Sequence, residues 1–328
     1  MSRFLYLLVL IAAVGGGWYF YRHYEITGLE SVDFKPRGAN GGRSPSAGAA
    51  NAKSAKQAKP HRTTIRIATF NFNPLDHVKL SKRHVAARMV ETICRFDVLA
   101  VQNIQAPNAG LLIGLVEQIN SGGRRYDFAV AADVGREPVE QFAAFLFDTA
   151  MIQVDRSTVY HVQDPGGLLL RPPLVGSFRV QGPEPAEAFT FTLINVHNEA
   201  ARAISELDVL DDVFRSVRDD GRGEDDVIVL GDLGADEQNP GQLGQIHYIT
   251  CAVSGVPSCL RSSRLVDNLL FDRRATSEFT GRSGVMDLMG EFNLPIQGVL
   301  EISDHFPVWA EFSVYEGGQA GHVAVDPR

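Results

Sequence analysis

The side chains in this sequence that are best suited to chemistry are carboxylates and histidines next to apolar runs. Asp232 and His197 each follow such a run, and Asp304 and His305 directly precede another. Carboxylates can hold a hard divalent cation, and a histidine oriented by a carboxylate can take up or release a proton. Phosphodiester hydrolysis needs both, because a water must be deprotonated while charge on the phosphoryl oxygens is neutralised. The residue types therefore indicate a candidate hydrolytic site.

The apolar patterns predict the strands and helices that would position these groups. Short or alternating apolar runs predict strands, whereas apolar residues three or four apart predict helices. Asn71, Asp232 and Asp267 fall at the ends of predicted strands, where a packed sheet holds side chains rigidly. Because strands and helices are mixed without strict alternation, the pattern favours an α+β layered domain. The predicted strands cover residues 65–70, 97–102, 142–147, 175–180, 189–196, 227–230, 265–271 and 308–314, and the predicted helices cover 81–95 with Ser81 as its cap, 108–119 and 207–217.

Several short segments follow one another in a fixed order: Phe70-Asn71, Val101-Gln102-Asn103, Val196-His197, Gly231-Asp232-Leu233-Gly234 and Ser303-Asp304-His305. In order and separation this set resembles the endonuclease/exonuclease/phosphatase superfamily of metal-dependent phosphodiester and phosphomonoester hydrolases. A second set resembles the pancreatic deoxyribonuclease branch of that superfamily. It comprises Glu140-Gln141-Phe142, Arg171-Pro172-Pro173, Val266-Asp267-Asn268 and the stretch from Gly281 to Trp309.

The resemblance covers nearly all of residues 63–315 and implies both a fold and a set of roles. The implied fold is one α+β domain, a four-layer α/β/β/α sandwich with two packed mixed β-sheets. The implied cofactor is a divalent cation (Mg²⁺, Mn²⁺ or Ca²⁺), and the implied partner is nucleic acid or another phosphodiester. Glu140 would orient His197, and Asp267 would orient His305. The implied site residues are His197, Glu140, His305, Asp267 and Asp232 for catalysis, Arg171 and Asn71 for substrate phosphate, and Asp304, Asp232 and the degenerate Asn103 for the metal.

Three positions depart from the family pattern. Asn103 stands where the principal metal carboxylate is expected, Gly234 where an asparagine is expected, and Gln105 where the deoxyribonuclease branch has an arginine. A neutral amide holds Mg²⁺ less well than a carboxylate does. A lost hydrogen bond to a charged group costs about 1.5–3 kcal/mol. We therefore expect an impaired metal site, which leaves two functions open: a nuclease-like phosphodiesterase of reduced activity, or a catalytically inactive relative that acts as a binding or scaffold module.

The N-terminal and C-terminal segments predict regions outside the folded domain. Residues 4–21 contain no charged residue and end in four aromatic residues, which is typical of a span that reaches a membrane interface. Residues 1–24 are therefore predicted as a membrane anchor, with a cleaved signal segment as the alternative. Residues 25–62 are predicted as a flexible basic linker and 316–328 as a disordered tail. The folded domain is expected outside the cytoplasm, either anchored or secreted after cleavage.

Charge is distributed unevenly along the chain. Residues 1–62 hold nine Lys and Arg against three Asp and Glu, which gives this segment a charge of +6. Because the whole chain has a net charge of −8, residues 63–328 carry −14. An acidic domain repels polyphosphates, and nucleic-acid binding would then require divalent cations or a local basic patch. Three cysteines leave open whether Cys251 and Cys259 form a disulfide, which an exported domain would permit.

Overall fold

The computed structural model describes residues 24–27, 33–36, 62–134 and 141–319. The chain divides into two compact units, residues 1–57 and 58–328. In the first unit, strands β1 (Tyr24–Thr27) and β2 (Asp33–Pro36) pair antiparallel within the stretch predicted as a linker. The predicted anchor up to residue 23, the remainder of the linker up to residue 61, and residues 320–328 of the predicted tail lie outside the described residues. No helix in the described ranges is long and apolar enough to cross a membrane.

The described strands of the second unit form two six-stranded mixed sheets. Sheet I has the order β13-β14-β3-β4-β6-β5, and sheet II has the order β11-β12-β10-β9-β8-β7. In each sheet one central pair is parallel, β3 with β4 and β9 with β10. Sheet I contains β3 (Thr64–Leu75), β4 (Val98–Ile104), β5 (Tyr126–Ala129), β6 (Phe142–Asp148), β13 (Phe279–Val285) and β14 (Val308–Ser313). Sheet II contains β7 (Ile152–His161), β8 (Leu174–Val180), β9 (Thr190–His197), β10 (Val227–Asp232), β11 (Ile249–Cys251) and β12 (Asp267–Asp272).

The two sheets pack face to face because their central strands are apolar on both faces. On β10, Ile228 and Leu230 join the apolar layer between the sheets, whereas Val227 and Val229 face the opposite side. This alternation follows from the two-residue period of a strand. Stacked aromatic rings fill the layer, and Phe189 and Phe312, whose centroids lie 5.9 Å apart, join sheet II to sheet I. Continuous apolar runs on β4 and β10 are therefore explained by burial on both sides.

Helices cover the outer faces of both sheets. The outer face of sheet I is covered by α1 (His77–Ser81), α2 (Arg83–Ile93), α3 (Gly110–Ser121), α5 (Leu288–Phe292) and α6 (Ile296–Ile302), and that of sheet II by α4 (Ala203–Arg218). Leu207, Leu210 and Phe214 of α4 are buried at helical spacing against sheet II. The layers confirm the α+β, four-layer α/β/β/α sandwich with two packed mixed β-sheets.

Some local predictions were wrong or incomplete. The helix expected over 81–95 runs over Arg83–Ile93, and Ser81 does not cap it but ends a separate short helix, His77–Ser81, that precedes it. Asp76 caps the first helix by accepting a hydrogen bond from the Lys79 amide at 2.6 Å. Strands β5, β7, β11 and β13 were not predicted. Most side chains of β7 and β13 are exposed or half-buried and show no apolar alternation, and β5 and β11 are only four and three residues long. The three cysteines carry free thiols, so Cys251 and Cys259 are not bridged.

Candidate active site

The predicted catalytic residues of sheet II lie next to one another at one sheet edge. His197 ends β9, Asp232 ends β10, and Asp267 begins β12. In the strand register Asp232 lies directly opposite His197 on one side and Asp267 on the other. Three functional side chains therefore arise from adjacent strand positions, since parallel strands bring their carboxyl ends to the same edge and β12 enters there.

His305 joins this group from the segment that precedes β14. Its Nδ1 lies 2.8 Å from Oδ2 and 3.1 Å from Oδ1 of Asp267, a carboxylate with no solvent exposure. Because the carboxylate accepts, Nδ1 carries the proton. Ser258 donates its hydroxyl to Asp267 Oδ2 at 2.8 Å and accepts from the amide of the same residue at 3.0 Å. The sequence reading missed Ser258, which stands in a loop without apolar periodicity.

Both histidines face a single oxygen of Asp232. His197 Nε2 lies 4.0 Å and His305 Nε2 lies 3.8 Å from Asp232 Oδ2. Asn71, from β3 of sheet I, donates to the same oxygen at 2.9 Å and lies 3.5 Å from His197 Nε2. The group is thus assembled from both sheets around one buried carboxylate.

Burial and neighbouring charges shift the pKa values of the two histidines in opposite directions. Burial lowers the pKa of His197 to about 4, against the attraction of Asp232 and with the repulsion of Arg171 and His305. Burial also opposes the charged form of His305, but the charge and hydrogen bond of Asp267 and the charge of Asp232 raise its pKa to about 10. Burial and the Asp267 charge raise the pKa of Asp232. At neutral pH, His197 is a neutral base and His305 a charged acid, which is the arrangement that acid–base catalysis needs.

A cavity of about 590 Å³ opens beside this group. Its lining includes Arg171, predicted as a phosphate ligand, together with His197 and Asn103. Arg171 is three-quarters buried; it donates to the His197 carbonyl at 3.3 Å and pairs with Glu199 at 3.0 Å. With its amide oriented to satisfy both neighbours, Gln141 accepts from Arg171 and donates to Asn103. Glu140, the predicted partner of His197, lies outside the described residues.

Two of the predicted metal ligands, Asn103 and Asp304, have side-chain oxygens that already accept hydrogen bonds. Asn103 donates to Asn73 Oδ1 at 3.2 Å, and its own Oδ1 accepts from Gln105 at 3.1 Å. Asn73 donates to Asp304 Oδ1 at 2.7 Å, while Arg261 Nε lies 2.6 Å from Asp304 Oδ2. The sequence indicated neither Asn73 nor Arg261, because their partners are more than 25 positions away and no pattern marks them.

These donors do not fit a tightly held divalent cation. Asp304 supplies one carboxylate, Asn103 supplies a neutral amide oxygen, and the Arg261 guanidinium already brings positive charge to Asp304. The described groups of ionisable residues close enough to share an ion at this edge all include His305. The Nδ1 atom of His305 is already bound to Asp267 at 2.8 Å, so only its Nε2 could face an ion. The side chains at this edge therefore support a divalent cation less well than a cluster of free carboxylates does.

The local structure favours a glycine at position 234, where the family resemblance predicts an asparagine. Its φ of +68° is in the left-handed region, and a Cβ there would lie 3.0 Å from the Ala203 Cβ at the start of α4. Its amide still donates to Asp232 Oδ1 at 3.0 Å. The backbone thus orients the catalytic carboxylate even though no side chain is present.

A buried polar network joins the sheets directly below the site. Gln102 of β4 donates to Asn195 Oδ1 of β9 at 2.7 Å and to Thr69 Oγ1 at 2.8 Å. Asn195 donates to the carbonyls of Val101 at 3.2 Å and Ala144 at 3.1 Å. Asn195 is two positions from His197 on the same strand, so the network fixes the strand that presents this histidine.

The chain is similar in sequence to deoxyribonucleases and in fold to an endonuclease/exonuclease/phosphatase family protein. No model of a known protein family matches the chain. Human deoxyribonuclease-1-like 2 is 27% identical over 285 residues, covering 74% of this chain and 90% of the relative. Rat deoxyribonuclease-1 is 24% identical over 262 residues, covering 75% and 90%. Among solved structures, an endonuclease/exonuclease/phosphatase family protein from Bacteroides thetaiotaomicron has a TM-score of 0.51 at 13% identity, covers 77% of this chain and 98% of its own, and shares the fold.

Proposed function

We propose that this chain, which is similar to deoxyribonucleases and shares the fold of an endonuclease/exonuclease/phosphatase family protein, is a nuclease-type phosphodiester hydrolase with a weakened metal site. The observation that carries the proposal is the convergence of His197 and His305 on one oxygen of Asp232, at 4.0 and 3.8 Å. A structural ion pair needs one histidine. Two histidines in opposite protonation states beside a cavity supply a base and an acid for one reaction.

The proposed reaction uses side chains with separate tasks. His197 accepts the proton of the attacking water, and His305 donates the Nε2 proton to the departing oxygen. Asp232 stabilises the positive charge that develops on His197, and Arg171 faces the phosphate across the cavity. A divalent cation at Asp304 would add charge neutralisation at the phosphoryl oxygens. Because the residues around Asp304 would hold such a cation only weakly, we expect low turnover.

The first prediction concerns the metal. Asn103→Asp should tighten Mn²⁺ binding by about tenfold or more, because it adds a carboxylate next to Asn73, which itself hydrogen-bonds to Asp304. Asp is preferable to Glu here, because Asn103 has a φ of +61°, a left-handed conformation that Asp tolerates better. Calorimetric titration with Mg²⁺ and Mn²⁺ measures the affinity, and supercoiled-plasmid nicking measures whether turnover rises with it.

Asn108→Asp is the matched control, since it adds the same charge at an exposed position five residues away. If both variants bind Mn²⁺ like the wild type, Asn103 is not the reason for weak binding. If the wild type already binds Mn²⁺ at micromolar concentrations, the metal site is not impaired.

The second prediction concerns pH. The rate should be flat between about pH 4 and about pH 10, because His197 must be neutral and His305 must be charged. Below this window His197 gains a proton and can no longer act as the base, whereas above it His305 loses the proton that it donates. The measurement is kcat/KM for bis(p-nitrophenyl) phosphate across pH 5–9, with circular dichroism to confirm folding. A rate that changes tenfold per pH unit around 6.5 would show an ordinary, unshifted histidine instead.

A second candidate function is phosphodiester binding without turnover. The observation that favours it is that both oxygens of Asp304 are engaged, by Asn73 and by Arg261. Fluorescence anisotropy with a labelled DNA duplex separates the two functions. Binding without any strand cleavage in Mg²⁺ or Mn²⁺ would support this candidate, and cleavage that depends on His197 would exclude it.

A further inference from the structure

A second group of carboxylates lies at the opposite end of β10 from the candidate active site. Asp226 immediately precedes β10, whereas Asp232 is its last residue. At about 3.3 Å per residue, these positions are roughly 20 Å apart. Glu278, which precedes β13, and Glu316, which follows β14, each place a carboxylate oxygen within 4.8 Å of Asp226 and of one another. This group takes no part in the reaction proposed above.

Two of these side chains are buried and leave an oxygen without a hydrogen-bond partner. Asp226 is 1% and Glu278 is 2% exposed, and no partner is present for Oδ1 of Asp226 or Oε2 of Glu278. The other oxygen of Glu278 accepts from the Gly317 amide. Glu316 accepts from the Thr190 amide at 3.4 Å. Backbone donors thus hold two of the carboxylates in place, while buried oxygens remain available inside the group.

The group also lacks a positive counterpart among the described residues. No described lysine or arginine forms an ion pair with Asp226, Glu278 or Glu316. Burial first, and then the neighbouring carboxylates, raise the pKa of Asp226 and raise that of Glu316 to about 7. Three carboxylates packed this closely need a bound proton or a bound cation at neutral pH, because an uncompensated buried charge is expensive.

We infer that Asp226, Glu278 and Glu316 form a structural Ca²⁺ site separate from the active centre. Ca²⁺ takes six to eight oxygen ligands in an irregular arrangement, whereas Mg²⁺ demands near-octahedral geometry. The three carboxylates come from three separate segments of the chain, and their oxygens lie within 4.8 Å of one another. The Thr276 hydroxyl is also buried without a hydrogen-bond partner and could add a fourth oxygen. A bound ion would join the start of β10, the approach to β13 and the turn that follows β14.

The experiment compares thermal unfolding of the full chain, freed of metal with a chelator, in the absence and presence of Ca²⁺. At a Ca²⁺ concentration about a hundredfold above the Kd, Tm should rise by about 5 °C or more. Glu278→Gln should abolish the rise while leaving the metal-free protein at least as stable, because it removes one of the repelling charges. Asp226→Asn should behave in the same way. Glu184→Gln, at an exposed glutamate of the same charge, should keep the full rise.

An Asp304→Asn variant separates this site from the active centre, since it should lose any metal effect on catalysis and keep the calcium effect on Tm. Calorimetric titration should show one Ca²⁺ bound in Asp304→Asn and none in the double variant Asp304→Asn plus Glu278→Gln. If Glu278→Gln does not fold, Glu316→Gln, at a half-buried position, serves in its place. The inference is overturned if Glu278→Gln responds to Ca²⁺ like the wild type. It is equally overturned if Ca²⁺ has no effect and lowering the pH stabilises the protein instead, because a shared proton then occupies the group.

Discussion

Replacing His197 with alanine is expected to lower kcat/KM for phosphodiester hydrolysis by about 10²- to 10⁴-fold, the contribution of one positioned acid or base. The same loss is expected for His305→Ala. The double variant should be little worse than either single variant, because groups that act as a unit in one transition state are strongly non-additive. Both Nε2 atoms lie beside Asp232 Oδ2. An alanine at either position removes the group that accepts or donates a proton in the proposed reaction.

The measurement is hydrolysis of bis(p-nitrophenyl) phosphate and nicking of supercoiled plasmid, both with Mn²⁺ present. His84→Ala is the matched control, because His84 lies exposed on α2 and pairs with Glu301 on the surface. It should retain wild-type activity. A His197→Ala protein that keeps more than a tenth of the activity would exclude His197 as the base. Circular dichroism must show that each variant is folded.

Replacing Asn195 with leucine is expected to destabilise the domain by about 3 kcal/mol. The side chain is buried at 1% exposure and makes three hydrogen bonds that cross from sheet II to sheet I. Leucine has a similar volume, so cavity formation adds little. The cost arises because the carbonyls of Val101 and Ala144 and the amide of Gln102 each lose a partner in an apolar environment.

Urea unfolding of the full chain, followed by circular dichroism, measures this change. Thr192→Val is the matched control, since Thr192 is buried on the same strand and its hydroxyl contacts Ser177 within one sheet at 2.9 Å. Its cost should be about 1 kcal/mol. If Asn195→Leu costs no more than Thr192→Val, the network between the sheets is not a major source of stability.

Much of the sheet architecture could be predicted from the sequence, because its central strands are buried on both faces. The apolar runs before His197 and Asp232 revealed β9 and β10 directly. Edge strands such as β7 escaped, since their exposed side chains leave no apolar period. The pairing of sheet I with sheet II followed from the family resemblance, because face-to-face packing joins residues more than a hundred positions apart and leaves no local pattern.

The candidate site was predictable in part for similar reasons. The positions of Asp232, Asp267 and His305 at strand ends were expected, whereas the contacts of Asp304 with Asn73 and Arg261 were not. Those contacts depend on loops whose conformation is set by distant packing. The close approach of α4 to Gly234 likewise depends on the packing of this helix against sheet II. Residue types along the chain could show that Gly234 departs from the family but could not show that a larger residue lacks room.

The hydrogen bond from Asn71 to Asp232 has a consequence for how this domain tolerates change. One end of the bond belongs to sheet I and the other to sheet II. In the proposed reaction, the spacing between the base, the acid and the substrate is therefore set by the thickness of the apolar layer that separates the sheets. Phe189, Phe191 and Phe312 in that layer act as spacers for the chemistry although they lie inside the sandwich. Their volumes are thereby constrained by the precision of the reaction as well as by the stability of the fold.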